Sequence, residues 1–397
     1  FALSINAQEV YGAPQIRDVG AADDAPQVRC VPGIHKTWNG NPVVLKGMVR
    51  ADGQRLDYRW DFGDGTAPTM GQVMSYYAIS ATHVYTGAPV GHSFYATLTV
   101  TDTETGVAGS DTYTVVVQER TSEVEIDVAI DDALWYLHRT MTLSETQGVP
   151  MGYWSGYTFD VGYTGMALLA FEIQGHTLAG DIVEDPYVET VQRGINFLLT
   201  KMYTEPITVQ LHGDPDRNGN GLGILCESGE SEKIYEDAIA MLPLASTGTP
   251  TQMAEVGPPE VMQRTYREIV QDMADWLIYA QNEEGNGRGG WRREANYVES
   301  DMSTTQWPVF ALQTAEVNLG ILVPEWVRYE LGDHFLRYVQ SPDGGFGYSS
   351  PGVSSLLRTG AGLMGLAFAG VPDYDARVIA ARRYIAEHWD TESNVGN

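Results

Sequence analysis

Gly289-Gly290-Trp291-Arg292, Asp301-Met302-Ser303-Thr304-Thr305-Gln306-Trp307 and the apolar run from Pro308 to Ala315 decide how this chain is read. The same order returns downstream as Gln340-Ser341-Pro342-Asp343-Gly344-Gly345-Phe346-Gly347-Tyr348, followed by Leu356 to Gly370. Each unit reads as the end of one helix, a Gly-aromatic turn, a polar loop and a second helix that is apolar nearly all round. Glycine is the residue that lets such a turn close. A helix with no polar face belongs inside, and an amphipathic partner has to cover it.

Outward from this stretch, the apolar period is helical from Ile126 onward, with segments near 126–141, 161–175, 186–203, 232–246, 259–282, 302–318, 324–340, 353–370 and 373–389. Hardly a strand signal separates them. Amphipathic segments (Arg193 to Met202, Met273 to Gln281, His334 to Gln340, Arg382 to Trp389) alternate with apolar ones (Tyr163 to Phe171, Ala238 to Leu244, Val309 to Ala315, Ala361 to Phe368). Period and alternation predict an α-helical repeat in a double layer. With its Gln-rich helix ends, Gly-Gly-Trp291 and Gly-Gly-Phe346-Gly-Tyr348, residues 126–397 resemble the α/α-toroid repeats of squalene–hopene cyclases and protein prenyltransferases. The resemblance implies a fold more than an activity. The pairs are too few to close such a ring, so the polypeptide continues, a neighbouring molecule closes it, or it stays open.

Upstream the period is two. Alternating segments near Pro42–Val49, Leu56–Asp61, Phe94–Thr101 and Thr112–Val117, separated by Gly/Asp-rich turns, predict an all-β module over residues 37–118. Tyr58-Arg59-Trp60-Asp61-Phe62-Gly63-Asp64-Gly65, then Thr82-His83-Val84-Tyr85, then Leu98-Thr99-Val100-Thr101-Asp102 resemble a polycystic-kidney-disease (PKD) domain. That resemblance implies an immunoglobulin-like sandwich acting as an extracellular spacer or interaction module. Trp60 and Phe62 are expected in the core, Gly63 and Gly65 in the turn, and Asp61 and Asp64 as turn hydrogen-bonders. Residues 119–125 read as a linker. Residues 1–36 read as a terminal strand, with Phe1, Leu3 and Ile5 on one face, followed by an extended arm. Such a strand pairs with its own domain or adds to the sheet edge of a neighbouring molecule. The expected fold is thus multidomain, an all-β immunoglobulin-like sandwich followed by an all-α toroid-like repeat.

A net charge of −28 over 397 residues argues against nucleic acid and against anionic membrane surfaces. It suits divalent cations and a salty or extracellular milieu, and equally a solvated acidic surface. No apolar run is long enough for a transmembrane helix. Cys30 and Cys226 form one bridge in an oxidising compartment or remain two buried thiols.

The candidate chemistry is sparse. The Asp-x-Asp-Asp acid of the cyclases and the zinc ligand set of the prenyltransferases are absent. Asp301 stands where a catalytic acid would project, but the following Ser303 and Thr304 favour a helix cap. Glu236 and Asp237 form the other inward carboxylate pair; neighbours on a helix diverge by about 100°, which prevents a glycosidase pair by themselves. The best ligand signal is His212-Gly213-Asp214-Pro215-Asp216-Arg217-Asn218-Gly219-Asn220. Oxygen-bearing side chains at Asp214, Asp216, Asn218 and Asn220, with glycine sixth, match the front of an EF-hand-like calcium loop. The closing position is Leu225, so Glu227 or Glu230 has to supply the last carboxylate. Aromatic clusters around Tyr163 and Trp307 suit either a sugar or terpenoid pocket or repeat packing.

The sequence therefore leads to a non-catalytic extracellular or cell-surface protein, structural or adhesive. Its expected partners are itself or other surface proteins, with calcium as cofactor. The rival is an enzyme acting on a polysaccharide or isoprenoid in the toroid cavity, and the third reading is a carbohydrate-binding protein.

Overall fold

The computed structural model describes residues 25–51, 55–146, 148–156, 158–227 and 233–390. They fall into two compact units. One comprises the described residues from 25 to Met141 together with Gly180–Thr190, and the other Thr142–Ala179 together with the described residues from Val191 onward. The expected strand at Phe1, Leu3 and Ile5 lies outside the described residues.

The first unit is a β-sandwich. Its strands are β1 Gln27–Cys30, β2 Ile34–Thr37, β3 Pro42–Arg50, β4 Leu56–Asp61, β5 Thr69–Gln72, β6 Ile79–Val84, β7 Ser93–Asp102 and β8 Ala108–Val117. A three-stranded sheet runs β1-β3-β6 and a five-stranded sheet β2-β8-β7-β4-β5. All pairs are antiparallel except β2 with β8. The core gathers Val43, Leu45, Trp60, Leu98, Val100 and Tyr113.

The described part of the expected arm, from residue 25 on, therefore contributes two strands to the sandwich. β1 and β2 are only four residues each, too short for alternation to separate from loop, yet Val28 and Cys30 point inward. The segment expected as a linker also differs. Thr121 caps α1 (Ser122–Thr140) by accepting from the Val124 amide. α1 packs on β2, and its Asp132 reaches the fully buried Lys46 Nζ at 2.8 Å.

The PKD-type signature behaves as its spacing predicts. Trp60 and Phe62 are buried. Asp61 accepts from the Gly63 amide, and Asp64 accepts from the amide and hydroxyl of Thr66. Gly63 sits at φ +73°, with the Tyr95 carbonyl where a Cβ would go.

The second unit is mainly helical. It holds β9 Thr142–Thr146, β10 Val149–Tyr153, α2 Asp160–Glu172, most of α3 (Pro186–Thr200), β11 Met202–Pro206, β12 Leu222–Cys226 and α4 Lys233–Ser246. Then come α5 Tyr266–Tyr279, α6 Met302–Leu319, α7 Glu325–Glu330, α8 Leu336–Val339, α9 Leu356–Phe368 and α10 Ala376–His388. A π-helical turn, Leu331–Phe335, joins α7 to α8 without a break. The helical period thus located these segments. It missed two hairpins, β9–β10 and β11–β12, which are short and in one case carry Pro150. α2, α4, α6 and α9 pack one against the next, and α5 and α10 lie against members of that row. α4 shows why the row is apolar: nearly every residue from Ile234 to Ser246 is buried.

Candidate functional site

One hydrogen-bond device recurs at the start of each helix in the row. The amide of Trp154 donates to Thr164 Oγ1 at 3.2 Å, that of Trp291 to Thr305 Oγ1 at 3.1 Å, and that of Phe346 to Thr359 Oγ1 at 3.1 Å. In α4 the amide of Cys226 donates to Asp237 Oδ1 at 3.0 Å. A buried amide must be paired or it costs roughly 1–3 kcal/mol, which explains a buried acceptor at this position in each helix. Asp237 thus occupies the threonine position of its repeat. Burial, the largest influence, holds its carboxyl well above the usual carboxylate range.

A second device fixes the turns. Gln281 Nε2 donates to the carbonyls of Gly289 and Val327, and Gln340 Nε2 donates to those of Gly344 and Arg377. Each glutamine ties its own Gly-Gly turn to the first turn of a following helix, α7 or α10.

Asp301 is the cap that its spacing predicts. Its Oδ1 accepts from the Thr304 amide at 2.7 Å and from Ser303 Oγ at 2.8 Å. Glu236 accepts from the Gly162 amide at 3.3 Å. These two carboxylates nevertheless meet in one place, a cavity of about 450 Å³ at the N-terminal ends of α2, α4 and α6. Such a volume lies within the usual range of small-molecule sites, about 300–1,000 Å³. Asp237 is not among its lining residues.

The walls are supplied by neighbouring turns. Tyr163 and Met166 come from α2, Tyr235 from α4, and Tyr348 from the turn before α9. Tyr348 is held by its own carbonyl, which accepts from the Met302 amide at 2.9 Å, and by its hydroxyl, 3.2 Å from Ser303 Oγ. Gly156 leaves the space that the Tyr163 ring fills. Tyr235 lies against Trp307, ring centroids 6.1 Å apart. Arg293 adds a guanidinium. In the sequence Tyr163 and Trp307 stand out as pocket aromatics and Tyr348 as part of the repeat turn, whereas Tyr235 and Arg293 carry no such mark. The available signal was position: Tyr235 lies in the first turn of α4, and Arg293 and Tyr348 lie in the segments that lead into α6 and α9.

The acidic loop is tied together by its own side chains and to α5. Asp214 accepts from the Asp216 amide, and Asp216 accepts from the amides of Gly219, Asn220 and Gly221. Asn218 and Asn220 turn their amides to Asp272, a fully buried residue of α5 that also pairs with Arg264 at 2.8 Å. Asp275, one turn along α5, accepts from the Arg217 amide at 3.1 Å. Burial, reinforced by Asp272 and Asp216, pushes its carboxyl up to about 7 despite that bond. Glu227 accepts from the Tyr203 hydroxyl at 2.7 Å, and Glu230 lies outside the described residues. Among the described residues, no three His, Cys, Asp or Glu side chains gather as a metal site.

Cys30 and Cys226 are free, buried thiols, so the bridge weighed from sequence is not made here. Burial pushes both thiols up. Cys226 Sγ donates to the Leu198 carbonyl at 3.3 Å, a packing role.

The first unit is an immunoglobulin-like sandwich by its topology. A PKD-domain family model matches residues 24–117, and these residues form a PKD domain. Among solved structures, the chain is similar to the PKD domain of an M14-like peptidase from Thermoplasmatales archaeon SCGC AB-540-F20. The identity is 14%, over 24% of this chain and 94% of that one, with a TM-score of 0.18. It is also similar to the PKD domain of the human VPS10 domain-containing receptor SorCS2, at 17% identity over 25% of this chain and 76% of that one, with a TM-score of 0.19. No curated protein matches the chain. Among the described residues, no helix is long and apolar enough to cross a membrane.

Proposed function

We propose that this chain is a non-catalytic extracellular or cell-surface protein, structural or adhesive, whose helical unit is a toroid-like repeat. One observation carries the non-catalytic reading: each carboxylate nominated for chemistry accepts from a main-chain amide. Asp301 serves Thr304, Glu236 serves Gly162, and Asp237 serves Cys226. The recurring Thr or Asp acceptor supports the repeat. The PKD domain supports the location, because such domains are typical of extracellular or surface proteins.

Self-assembly is the mode we propose, with residues 1–10 added as a strand to a neighbouring copy. Among the described residues, β5 and β6 each pair on one side only, so each offers an edge to such a strand. Electron microscopy of the full chain is expected to show oligomers or filaments, and the chain lacking residues 1–10 is expected to stay monomeric. Particles of unchanged size from the shortened chain would sink this mode.

Calcium at Asp214, Asp216, Asn218 and Asn220 belongs to the same proposal. The loop spacing supports it, with Asp272 as a buried carboxylate directly beneath. In titration calorimetry with calcium chloride, Asp214→Ala and Asp216→Ala should each abolish the heat given by the unaltered chain. Heats unchanged in both variants would remove the metal.

A further inference from the structure

We propose that the Lys46 amine and the Asp132 carboxyl condense into an intramolecular amide, a covalent bond that ties strand β3 to helix α1 within the first unit. The bond goes beyond the structural reading of the chain and does not depend on it.

The two groups already touch. Lys46 Nζ lies 2.8 Å from Asp132 Oδ1, which puts the carboxyl carbon, one bond further, within about 4 Å of the amine. Both atoms are shut off from water, and among the described residues neither has a partner in hydrogen-bond geometry. The contact is therefore a close approach without the alignment of a hydrogen bond. Other lysine–carboxylate pairs lack this setting: the side chains of Lys36 and Lys233 are 46% and 30% exposed, whereas that of Lys46 is 0%. The neighbouring Asp131 is turned to the buried His35 ring at 3.3 Å, so Asp132 is the carboxyl set against Lys46. Two buried rings stand near. Burial first, and then nearby carboxylates that include Asp131 and Asp132, pushes the Tyr113 and Tyr187 hydroxyls up.

An ammonium held out of water and poorly aligned with its carboxylate keeps its desolvation cost with little return. Condensation removes both charges. One Nζ proton passes to the Asp132 carboxylate, leaving a neutral amine and a carboxylic acid. The nitrogen lone pair attacks Cγ and the Nζ–Cγ bond forms. The bond from Cγ to the protonated oxygen breaks, and that oxygen leaves as water with a second Nζ proton. Ammonium and carboxylate thus become one amide and one water, with no oxidant, reductant or further reactant. In dilute solution water opposes this reaction, but well-placed groups in one molecule reach effective concentrations on the order of 10⁵ M or more. Placement is provided by β3 at the centre of its sheet and by α1, capped at Thr121. The Asp132 side chain is 44% exposed, which gives the released water a way out.

The test is the intact mass of the folded full chain, taken under denaturing conditions after several days at neutral pH. The chain is expected to be lighter than its sequence by the mass of one water. Trypsin should then leave the bond after Lys46 uncut and yield one branched peptide joining the segments that carry Lys46 and Asp132. Lys46→Arg keeps a cation facing Asp132 but offers no nucleophilic amine, so it should show its full sequence mass, as should Asp132→Ala. Because the wild-type mass decides by itself, a variant that fails to fold does not shelter the proposal. Three results would overturn it: full sequence mass in the folded wild-type chain, a water loss mapped to other residues, or the same loss persisting in Lys46→Arg or Asp132→Ala.

Discussion

Gly289→Ala is expected to destabilise the helical unit by about 2–5 kcal/mol. Gly289 sits at φ +85°, and a Cβ built there would stand 1.9 Å from the Glu330 carbonyl oxygen and 2.3 Å from its carbon. Both are main-chain atoms, so no side chain can swing aside. The turn is also pinned, because the Gly289 amide donates to the Asn282 carbonyl at 2.7 Å and its own carbonyl accepts from Gln281. Left-handed strain costs roughly 1–2 kcal/mol and overpacking typically about 1–3 kcal/mol more, against a usual total stability of about 5–15 kcal/mol. Gly320→Ala is the control. Gly320 has φ +66° but nothing within 4 Å of the added carbon, so only the conformational strain applies. Denaturant titration of the two variants isolates the steric contribution. Equal losses would mean that the close approach to Glu330 is not present in solution.

Asp272→Ala is expected to cost about 3–5 kcal/mol, the usual penalty for removing one partner of a buried ion pair. Three donors lose their acceptor at once: Arg264, Asn218 and Asn220. The Asp214 to Gly221 loop should then come loose from α5, so that the already exposed Arg217 can fit a protease cleft more readily. Trypsin cleavage after Arg217, followed with time, reads the loop directly, and the denaturant midpoint reads the unit. Asp272→Asn keeps an oxygen for the two asparagines and loses only the charge facing Arg264, so it should fall between wild type and Asp272→Ala. A loss below about 1 kcal/mol in the alanine variant, with trypsin resistance unchanged, would show that Asp272 does not anchor the loop.

The parts of this molecule that were legible in its sequence are those with a local physical signature. The apolar period of α2, α4, α6 and α9 follows from burial on every side, and a composition of that kind shows along the chain itself. Asp301 was readable as a cap because its partner, Thr304, is three residues away. The Trp-Asp-Phe-Gly-Asp-Gly run was readable because its hydrogen bonds close within the same turn.

What escaped lacks such a signature. β11 and β12 pair across a long intervening loop, so no turn residue marks the hairpin, and Met202 reads as the end of α3. Asp237 beside Glu236 resembles reactive machinery until the structure sets it beside Thr164, Thr305 and Thr359. The spacing from each amide donor to its acceptor varies from 10 to 14 residues, which hides the equivalence from any fixed-period reading. The cavity is the extreme case. Tyr163 and Tyr348 lie far apart in the chain and meet only because successive helices of the row start at the same end.

The PKD-bearing unit is assembled from two stretches, one ending at Met141 and the other Gly180–Thr190, with Thr142–Ala179 belonging elsewhere. This has a genetic consequence. Modules that are shuffled among genes travel as uninterrupted coding segments. Here a segment stopping at residue 118 would carry the sandwich strands without α1 or residues 180–190, and one starting at 126 would carry pieces of both units. A single break in the chain therefore leaves neither contact unit whole, although the PKD domain itself lies in the uninterrupted residues 24–117.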